Sequence, residues 1–327
     1  MRSTPMVGRL SGRREDAKPV GDGRSVGMNA VTKVLLWERD GRDWPNRQAS
    51  RFVRAAGMNW HVQEMGTGPV LLLLHGTGAS THSWRAIAPR LAARFHVIAV
   101  DLPGHGFTQT PPREFLSLYG MGTAVNSLLR TLEAAPAIVV GHSAGAAVAV
   151  RMSIDGHFAP RLIIGINAAL LPLSGLAGHV FSPLAKVLTR IPFVPRLFAR
   201  SAFDRSMIES MLANTGSSID REGIDLYWRL AQSPGHIAAA FGMMAEWDLP
   251  RLEKDLPRLR TPLVLVAATN DKSISPFDAE RARTILPKTT VVPLTGLGHL
   301  AHEEQPDLVV NVICDAAKRA GVLKPRE

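Results

Sequence analysis

Residues 137–152 read AIVVGHSAGAAVAVRM, with Gly141-His142-Ser143-Ala144-Gly145 near their centre. The apolar run before this pentapeptide is typical of a buried strand, and the small apolar residues after it are compatible with a helix. Gly-x-Ser-x-Gly between a strand and a helix is the pattern of a nucleophile elbow, a strained turn that exposes the serine hydroxyl. We therefore predict that Ser143 is a catalytic nucleophile.

On both sides of this turn, short apolar runs alternate with segments of helical spacing. Continuous apolar runs of this length suit parallel strands that are covered on both faces. The alternation predicts an α/β fold with a mostly parallel, doubly wound sheet. The strand-like runs are 70–74, 96–100, 137–140, 162–166, 262–268 and 290–293, and helical spacing is found at 84–93, 123–134 and 307–320.

The alternating pattern stops after Asn167 for roughly eighty residues, where helix-like pieces are broken by five prolines. We interpret this part as a helical cap inserted into the sheet domain. The expected organisation is a disordered basic tail at 1–40, the first part of the core at 41–169, the cap at 170–248 and the second part of the core at 249–327. The translation start, at Met1 or Met28, is left open.

The composition limits the class of protein. With 327 residues, 46% apolar and 20% charged, the chain can bury a large core. The single Cys314 excludes an internal disulfide framework and favours a cytoplasmic setting. The net charge is +10, but the basic residues are scattered and no nucleic-acid-binding motif is present. We expect no nucleic-acid partner and no transmembrane helix, and a basic surface suited to an anionic membrane or an acidic substrate.

A serine hydroxyl is a poor nucleophile at neutral pH and needs a neighbouring base, which an acid orients. In this fold the chain order is serine, acid, histidine. Asp271 follows the apolar run 262–268, and His299 lies in the loop after the run 290–293. We assign Asp271 as the acid and His299 as the base.

Two alternatives compete for these roles. His302 lies three residues after His299, but it would fall where a helix begins, whereas Gly298 opens the loop before His299. Asp248 is the alternative acid. His75, His105 and His142 are assigned no role as the base.

Acyl transfer also needs backbone N–H donors that stabilise the oxyanion of the tetrahedral intermediate. We expect these donors to be the amides of Ala144, directly after the nucleophile, and Thr77, in the glycine-containing loop after the run 70–74. The two glycines around Thr77 are equally consistent with an ordinary tight turn.

Together these motifs resemble the α/β-hydrolase superfamily from about residue 45 onwards. Within this superfamily, several sequence blocks are similar to those of the family of magnesium-chelatase accessory proteins of bacteriochlorophyll biosynthesis. The similar blocks are DWP at 43–45, SRFV at 50–53, WHVQ at 60–63, HGTGASTHSW at 75–84, DLPGHGFT at 101–108, GHSAGAA at 141–147 and GLGHLAHEE at 296–304. The motifs of the serine, acid and histidine are generic, and the blocks around Trp44, Trp60 and Trp84 carry the narrower resemblance. The resemblance implies a role near magnesium insertion into protoporphyrin IX, with chelatase subunits and the photosynthetic membrane surface as candidate partners.

The predicted cap contains no acidic residue between Leu170 and Phe203, while Arg190, Arg196 and Arg200 are interleaved with apolar residues. This pattern suits a membrane interface, a small apolar or tetrapyrrole-like ligand bearing carboxylates, or a helical cap with a solvated basic face. Two functions therefore stay open. One is a serine hydrolase of ester or related bonds that uses no metal and no organic cofactor, and the other is a non-catalytic tetrapyrrole-binding or assembly factor.

Overall fold

The computed structural model describes residues 34–172, 194–201 and 204–324, without the side chains of 196, 198, 200 and 201. The predicted tail lies mostly outside these ranges. So does Arg190 of the predicted cap, and the side chains of Arg196 and Arg200 are outside them as well.

Eight strands form one sheet in the order β1-β2-β4-β3-β5-β6-β7-β8. β1 and β2 form an antiparallel hairpin, β2 pairs antiparallel with β4, and all other neighbours are parallel. The predicted mostly parallel sheet is confirmed. The strands are β1 (Ser50–Ala55), β2 (Met58–Met65), β3 (Val70–Leu74), β4 (His96–Val100), β5 (Ile138–His142), β6 (Leu162–Ile166), β7 (Leu263–Ala268) and β8 (Thr290–Leu294).

Helices cover both faces of the sheet. Before β7 they are α1 (Trp37–Asp40), α2 (Ile87–Leu91), α3 (Leu118–Thr131), α4 (Ala144–Ile154), α5 (Val194–Ser201), α6 (Arg205–Ala213), α7 (Arg221–Ala231), α8 (Pro234–Glu246) and α9 (Leu249–Asp255). After β7 they are α10 (Phe277–Ile285), α11 (Ala301–Glu304) and α12 (Pro306–Arg319). We call the described residues between β6 and β7 the helical insertion.

The core follows from the alternation of side chains along each strand. Along β3, Leu72 and Leu74 contribute to one apolar cluster together with residues of α3 and α4. Leu71 and Leu73 contribute to a second cluster that includes residues of α2 and α12. Strands β3 to β7 are buried along almost their whole length, so both faces of the sheet are covered.

The predicted helix at 84–93 is shorter than expected. Thr81–Trp84 forms a 3-10 turn, and α2 spans only Ile87–Leu91. By contrast, α3 begins earlier than predicted, because the Ser117 hydroxyl caps it by accepting a hydrogen bond from the Gly120 amide at 3.0 Å. Across the described ranges, every helix is too short or too polar to cross a bilayer.

Candidate active site

Ser143 lies in the turn between β5 and α4 with φ 48° and ψ −111°. A positive φ is unusual for a residue with a side chain and stores strain in the turn. The glycines on either side are required sterically: a Cβ at Gly141 would lie 2.3 Å from the Ala146 nitrogen, and one at Gly145 would lie 2.0 Å from the Leu74 oxygen. The local geometry is that of a nucleophile elbow.

Hydrogen bonds from the neighbouring strand and loop hold this turn in place. The Ser143 amide donates to the carbonyl of Ile166 at 2.9 Å, and the Ser143 carbonyl accepts from the Ala169 amide at 3.1 Å. The serine is 9% exposed. The elbow is therefore fixed to the end of β6, where parallel strands commonly present functional residues.

Asp271 and His299 meet at the carboxyl end of the sheet. The Nδ1 atom of His299 lies 2.7 Å from Oδ2 of Asp271, whose side chain is 1% exposed. The second carboxylate oxygen accepts hydrogen bonds from the amides of Ser273 and Ile274, at 2.7 and 2.9 Å. An ionised Asp271 would hold the proton on Nδ1 and leave Nε2 of His299 free to act as a base. No hydrogen bond joins Ser143 Oγ to His299 in the described part of the chain.

The geometry favours the assigned pair over its rivals. Asp248 caps α9 by accepting from the Arg251 amide at 3.0 Å. His302 is fully buried, and neither of its ring nitrogens has a hydrogen-bond partner among the residues described. Burial lowers the pKa of His302 to about 3, so its ring is neutral near pH 7.

Two side chains hold the main chain of His299 from the core. The Nε2 group of His142 and the side-chain amide of Asn167 each donate to the carbonyl oxygen of His299 at 2.9 Å. Asn167 also donates to the carbonyl of Gly298 at 3.0 Å, and its own side-chain oxygen accepts from the amide of Ala268 at 2.8 Å. Asn167 therefore ties the end of β7 to the histidine loop.

Asn167 and His142 are not among the site residues predicted from the sequence. A polar residue directly after the buried run 162–166, at the carboxyl edge of a parallel sheet, was the available signal for Asn167. Its side chain is buried, and its φ of 46° is a second uncommon backbone angle beside the elbow.

A turn of the helical insertion contacts both loops of the acid-base pair. The carbonyl of Thr215 accepts from the amides of Lys272 at 3.0 Å and His299 at 3.4 Å. The hydroxyl of Ser217 accepts from the amide of Leu300 at 2.8 Å. We call residues 215–217 the insertion clamp. This one turn contacts Lys272, which follows the predicted acid, and it contacts His299 and Leu300 in the loop of the predicted base.

The candidate oxyanion donors lie beside the elbow. A Cβ placed on Gly76 would be 3.3 Å from Cβ of Ser143, so the loop that carries Thr77 lies against the serine. Within the described ranges, the backbone N–H groups of Thr77 and Ala144 have no hydrogen-bond acceptor in the protein, so both are free to donate to a substrate oxygen. The Thr77 hydroxyl faces Sδ of Met243, at 3.4 Å, in α8. These two amides remain the predicted oxyanion hole.

His75 lies under the same loop. Its Nδ1 atom is 2.8 Å from the carbonyl of Gly76, and its Nε2 accepts from the amide of Leu102 at 2.9 Å. Burial lowers the pKa of His75 to about 4, which keeps the ring neutral. A neutral ring bonded at both nitrogens suits a role in shaping the loop.

Comparisons with known proteins agree with this architecture. Residues 71–312 match the model of a family described as the alpha/beta hydrolase family. The chain is 40% identical over 275 residues to the magnesium-chelatase 30 kDa subunit of Rhodobacter capsulatus, covering 84% of this chain and 96% of that protein. It is 25% identical to a 2-(acetamidomethylene)succinate hydrolase of Mesorhizobium japonicum, over 81% of this chain and 93% of the relative.

Solved structures show the same fold. The epoxide hydrolase CorEH superposes with a TM-score of 0.72 at 22% identity, covering 83% of this chain and 98% of the other. At this identity the likeness concerns the fold alone. The family match and the 40% identical relative go further: the chain belongs to the alpha/beta hydrolase family and, within it, to the family of the magnesium-chelatase 30 kDa subunit.

Proposed function

We propose that this protein is a serine hydrolase that acts on an ester or related bond at the magnesium-chelatase step of bacteriochlorophyll biosynthesis. The observation that carries the hydrolase part is the contact between Asp271 and His299 next to a strained Ser143 elbow. The relative from Rhodobacter capsulatus supports the pathway part.

In the proposed reaction, Ser143 Oγ attacks the carbonyl carbon of the substrate while His299 Nε2 takes the hydroxyl proton. Asp271 keeps the proton on Nδ1 of His299 and stabilises the imidazolium. The amides of Thr77 and Ala144 donate to the oxyanion of the tetrahedral intermediate. The imidazolium then protonates the leaving group, and water hydrolyses the acyl-serine by the same steps.

The ligand that we propose is an apolar molecule bearing carboxylates, such as a tetrapyrrole. The basic residues of the predicted cap and the name of the Rhodobacter capsulatus relative support this ligand class. Contact with chelatase subunits or with a membrane surface belongs to the same proposal.

A fluorophosphonate probe tests the hydrolase part, because such probes phosphonylate activated serines. We expect an adduct on Ser143, identified by peptide mapping, and no adduct at this position in a Ser143→Ala variant of unchanged circular dichroism. His299→Ala should slow the labelling of Ser143 strongly. If Ser143 stays unmodified in the native protein, the hydrolase proposal fails. A tetrapyrrole-binding or assembly factor would then be the better description.

A further inference from the structure

We propose that Ser50 is a second activated serine, which accepts acyl and phosphonyl groups at a site independent of Ser143. At the sheet edge, His61 bridges a serine and an aspartate. Its Nδ1 lies 2.8 Å from Oδ2 of Asp101, and its Nε2 lies 3.0 Å from Oγ of Ser50. These three side chains repeat the atom pattern in which a carboxylate orients a histidine and the histidine activates a hydroxyl.

The surroundings of Asp101 fix the direction of these hydrogen bonds. Its carboxylate also accepts from the amides of Thr81 at 2.6 Å and Phe107 at 2.9 Å. Burial opposes ionisation, but the contacts with His61 and His75 and the hydrogen bond from the Phe107 amide together hold the pKa of the Asp101 carboxyl well below its usual range. An ionised Asp101 accepts the proton of His61 Nδ1. When the His61 ring is neutral, the lone pair of Nε2 faces Ser50 and the Ser50 hydroxyl donates to it.

The oxygen of Ser50 already has a hydrogen-bond donor beside it. The side-chain amide of Gln63 donates to Ser50 Oγ at 3.1 Å and is itself anchored on the carbonyl of Pro45 at 2.7 Å. A fixed donor at this position would stabilise the negative charge that develops on the serine oxygen when its proton leaves.

Solvent reaches the serine of this group but not its histidine and aspartate. Ser50 is partly exposed, whereas the side chains of His61 and Asp101 are 0% exposed. The rings of Trp37 and Phe107 lie 4.9 and 5.6 Å from the His61 ring, measured between centroids. This apolar wall excludes water from the base and offers a surface for the apolar part of an acyl group.

The site is separate from the elbow. His61 is on β2 and Ser143 follows β5, and the strand order places β4 and β3 between them. Three strand spacings correspond to about 14 Å. Modification of Ser50 therefore does not require Ser143, His299 or Asp271.

The proposed reaction of Ser50 with a fluorophosphonate is a displacement of fluoride at phosphorus. Ser50 Oγ forms a bond to phosphorus, the bond between phosphorus and fluorine breaks, and fluoride leaves. The serine proton passes to His61 Nε2, and the Asp101 carboxylate stabilises the imidazolium that forms. An activated ester would react in the same way, with its alcohol or phenol as the leaving group.

The test uses the full-length Ser143→Ala protein, in which the elbow cannot react. We expect a fluorophosphonate adduct on Ser50, located by peptide mass spectrometry, and no adduct in a Ser50→Ala, Ser143→Ala protein. Adding His61→Gln, with folding verified by circular dichroism, should slow the labelling of Ser50 at least tenfold. An unmodified Ser50, or labelling that is as fast without His61, would overturn the proposal and leave the three side chains as a structural link between strands.

A second test with a cysteine variant does not depend on the folding of His61→Gln. Beside His61, the thiol of Ser50→Cys should be largely ionised at pH 7, where an ordinary cysteine is only a few per cent thiolate. Iodoacetamide should therefore alkylate it about tenfold faster than the thiol of Gln48→Cys, a matched control at an exposed neighbouring position. Equal or slower alkylation at position 50 would also overturn the proposal.

Discussion

At the scale of single residues, His299 and His302, the two histidines that follow β8, differ in their partners. His299 contacts a carboxylate, whereas His302 is packed against Trp84 and His142, with ring centroids 4.7 and 4.5 Å apart. A general base needs an orienting group and access to the substrate. Of these two histidines, it is His299 that combines a carboxylate partner with partial exposure, since its side chain is 12% exposed.

We therefore expect His299→Ala to lower kcat for a small activated ester by about a thousandfold or more, as for other members of a triad. Adding Ser143→Ala should cost little further activity, because the groups act as a unit. His302→Leu should stay near the parent rate. Initial rates of p-nitrophenyl acetate hydrolysis measure all three effects. A larger loss from His302→Leu than from His299→Ala would show that the base is misassigned.

Asn167 is predicted to act as a positioning residue. Asn167→Ala removes both hydrogen bonds to the histidine loop and leaves the buried amide of Ala268 without its acceptor. A base displaced by a fraction of an ångström slows the chemical step more than binding, so we expect kcat to fall roughly tenfold to a hundredfold with a small change in KM. A variant that is less stable but has an unchanged kcat would assign Asn167 to stability alone.

At the scale of elements, the strands could be predicted well because a continuous apolar run makes up most of each central strand. The run 162–166 matches β6, and the run 70–74 matches β3. The order of serine, acid and histidine placed Asp271 and His299 at the ends of β7 and β8, and the structure brings these two side chains together. The strands could be predicted from local apolar patterns, and the acid and histidine from the known chain order of the three groups.

Contacts between distant segments could not be predicted in the same way. Thr215 has no local pattern that marks its carbonyl as a partner of His299, which lies 84 residues further along the chain. The pairing of His61 with Asp101 likewise depends on how β2 and β4 align. Such contacts arise from packing of the whole chain, to which composition and periodicity give no access.

The insertion clamp connects the helical insertion to the loops that carry the predicted acid and the predicted base. Ser217→Ala removes the hydroxyl that accepts from the Leu300 amide, next to His299. We expect about a tenfold lower kcat, since the loop that carries the base loses one of its anchors. Ser210→Ala, at an exposed position of α6, is the matched control and should leave kcat unchanged. Equal activity of the two variants would show that the clamp does not position the base.

At the scale of the whole molecule, several histidines are buried in neutral form. Burial lowers the pKa of His75 to about 4 and the pKa values of His105, His236 and His302 to about 3. Their ordinary pKa is about 6.5. Below pH 6.5 the unfolded chain therefore binds protons that the folded protein excludes, so the free energy of unfolding falls as the pH falls from 6.5 towards 3.

This linkage predicts an acid-sensitive protein. Between pH 7.5 and 5.5, each of these four histidines should lower the free energy of unfolding by roughly 1 kcal/mol. Urea unfolding at the two pH values measures the loss. His302→Leu should reduce the difference by about one histidine's share. An equal pH dependence in the parent and in His302→Leu would contradict the neutral state of His302.

The final prediction concerns the tetrapyrrole ligand of the proposed function. Arg190, Arg196 and Arg200 lie in a stretch without acidic residues, and this sequence pattern is what makes them the proposed partners of ligand carboxylates. Each such contact contributes about 1 kcal/mol or less when exposed and more when desolvated. We expect protoporphyrin IX to give a saturable absorbance change with the parent protein, and replacement of all three arginines by Gln to weaken binding while sparing hydrolysis of a small neutral ester.

The ester assay separates a lost ligand contact from a lost fold. A triple variant that hydrolyses the neutral ester at the parent rate but needs a higher porphyrin concentration for half-saturation would support the ligand site. A parent protein with no saturable spectral change would remove protoporphyrin IX as the ligand. Equal porphyrin binding by both proteins would leave the basic stretch as a solvated face or a membrane contact, and anionic vesicles could then replace porphyrin in the same comparison.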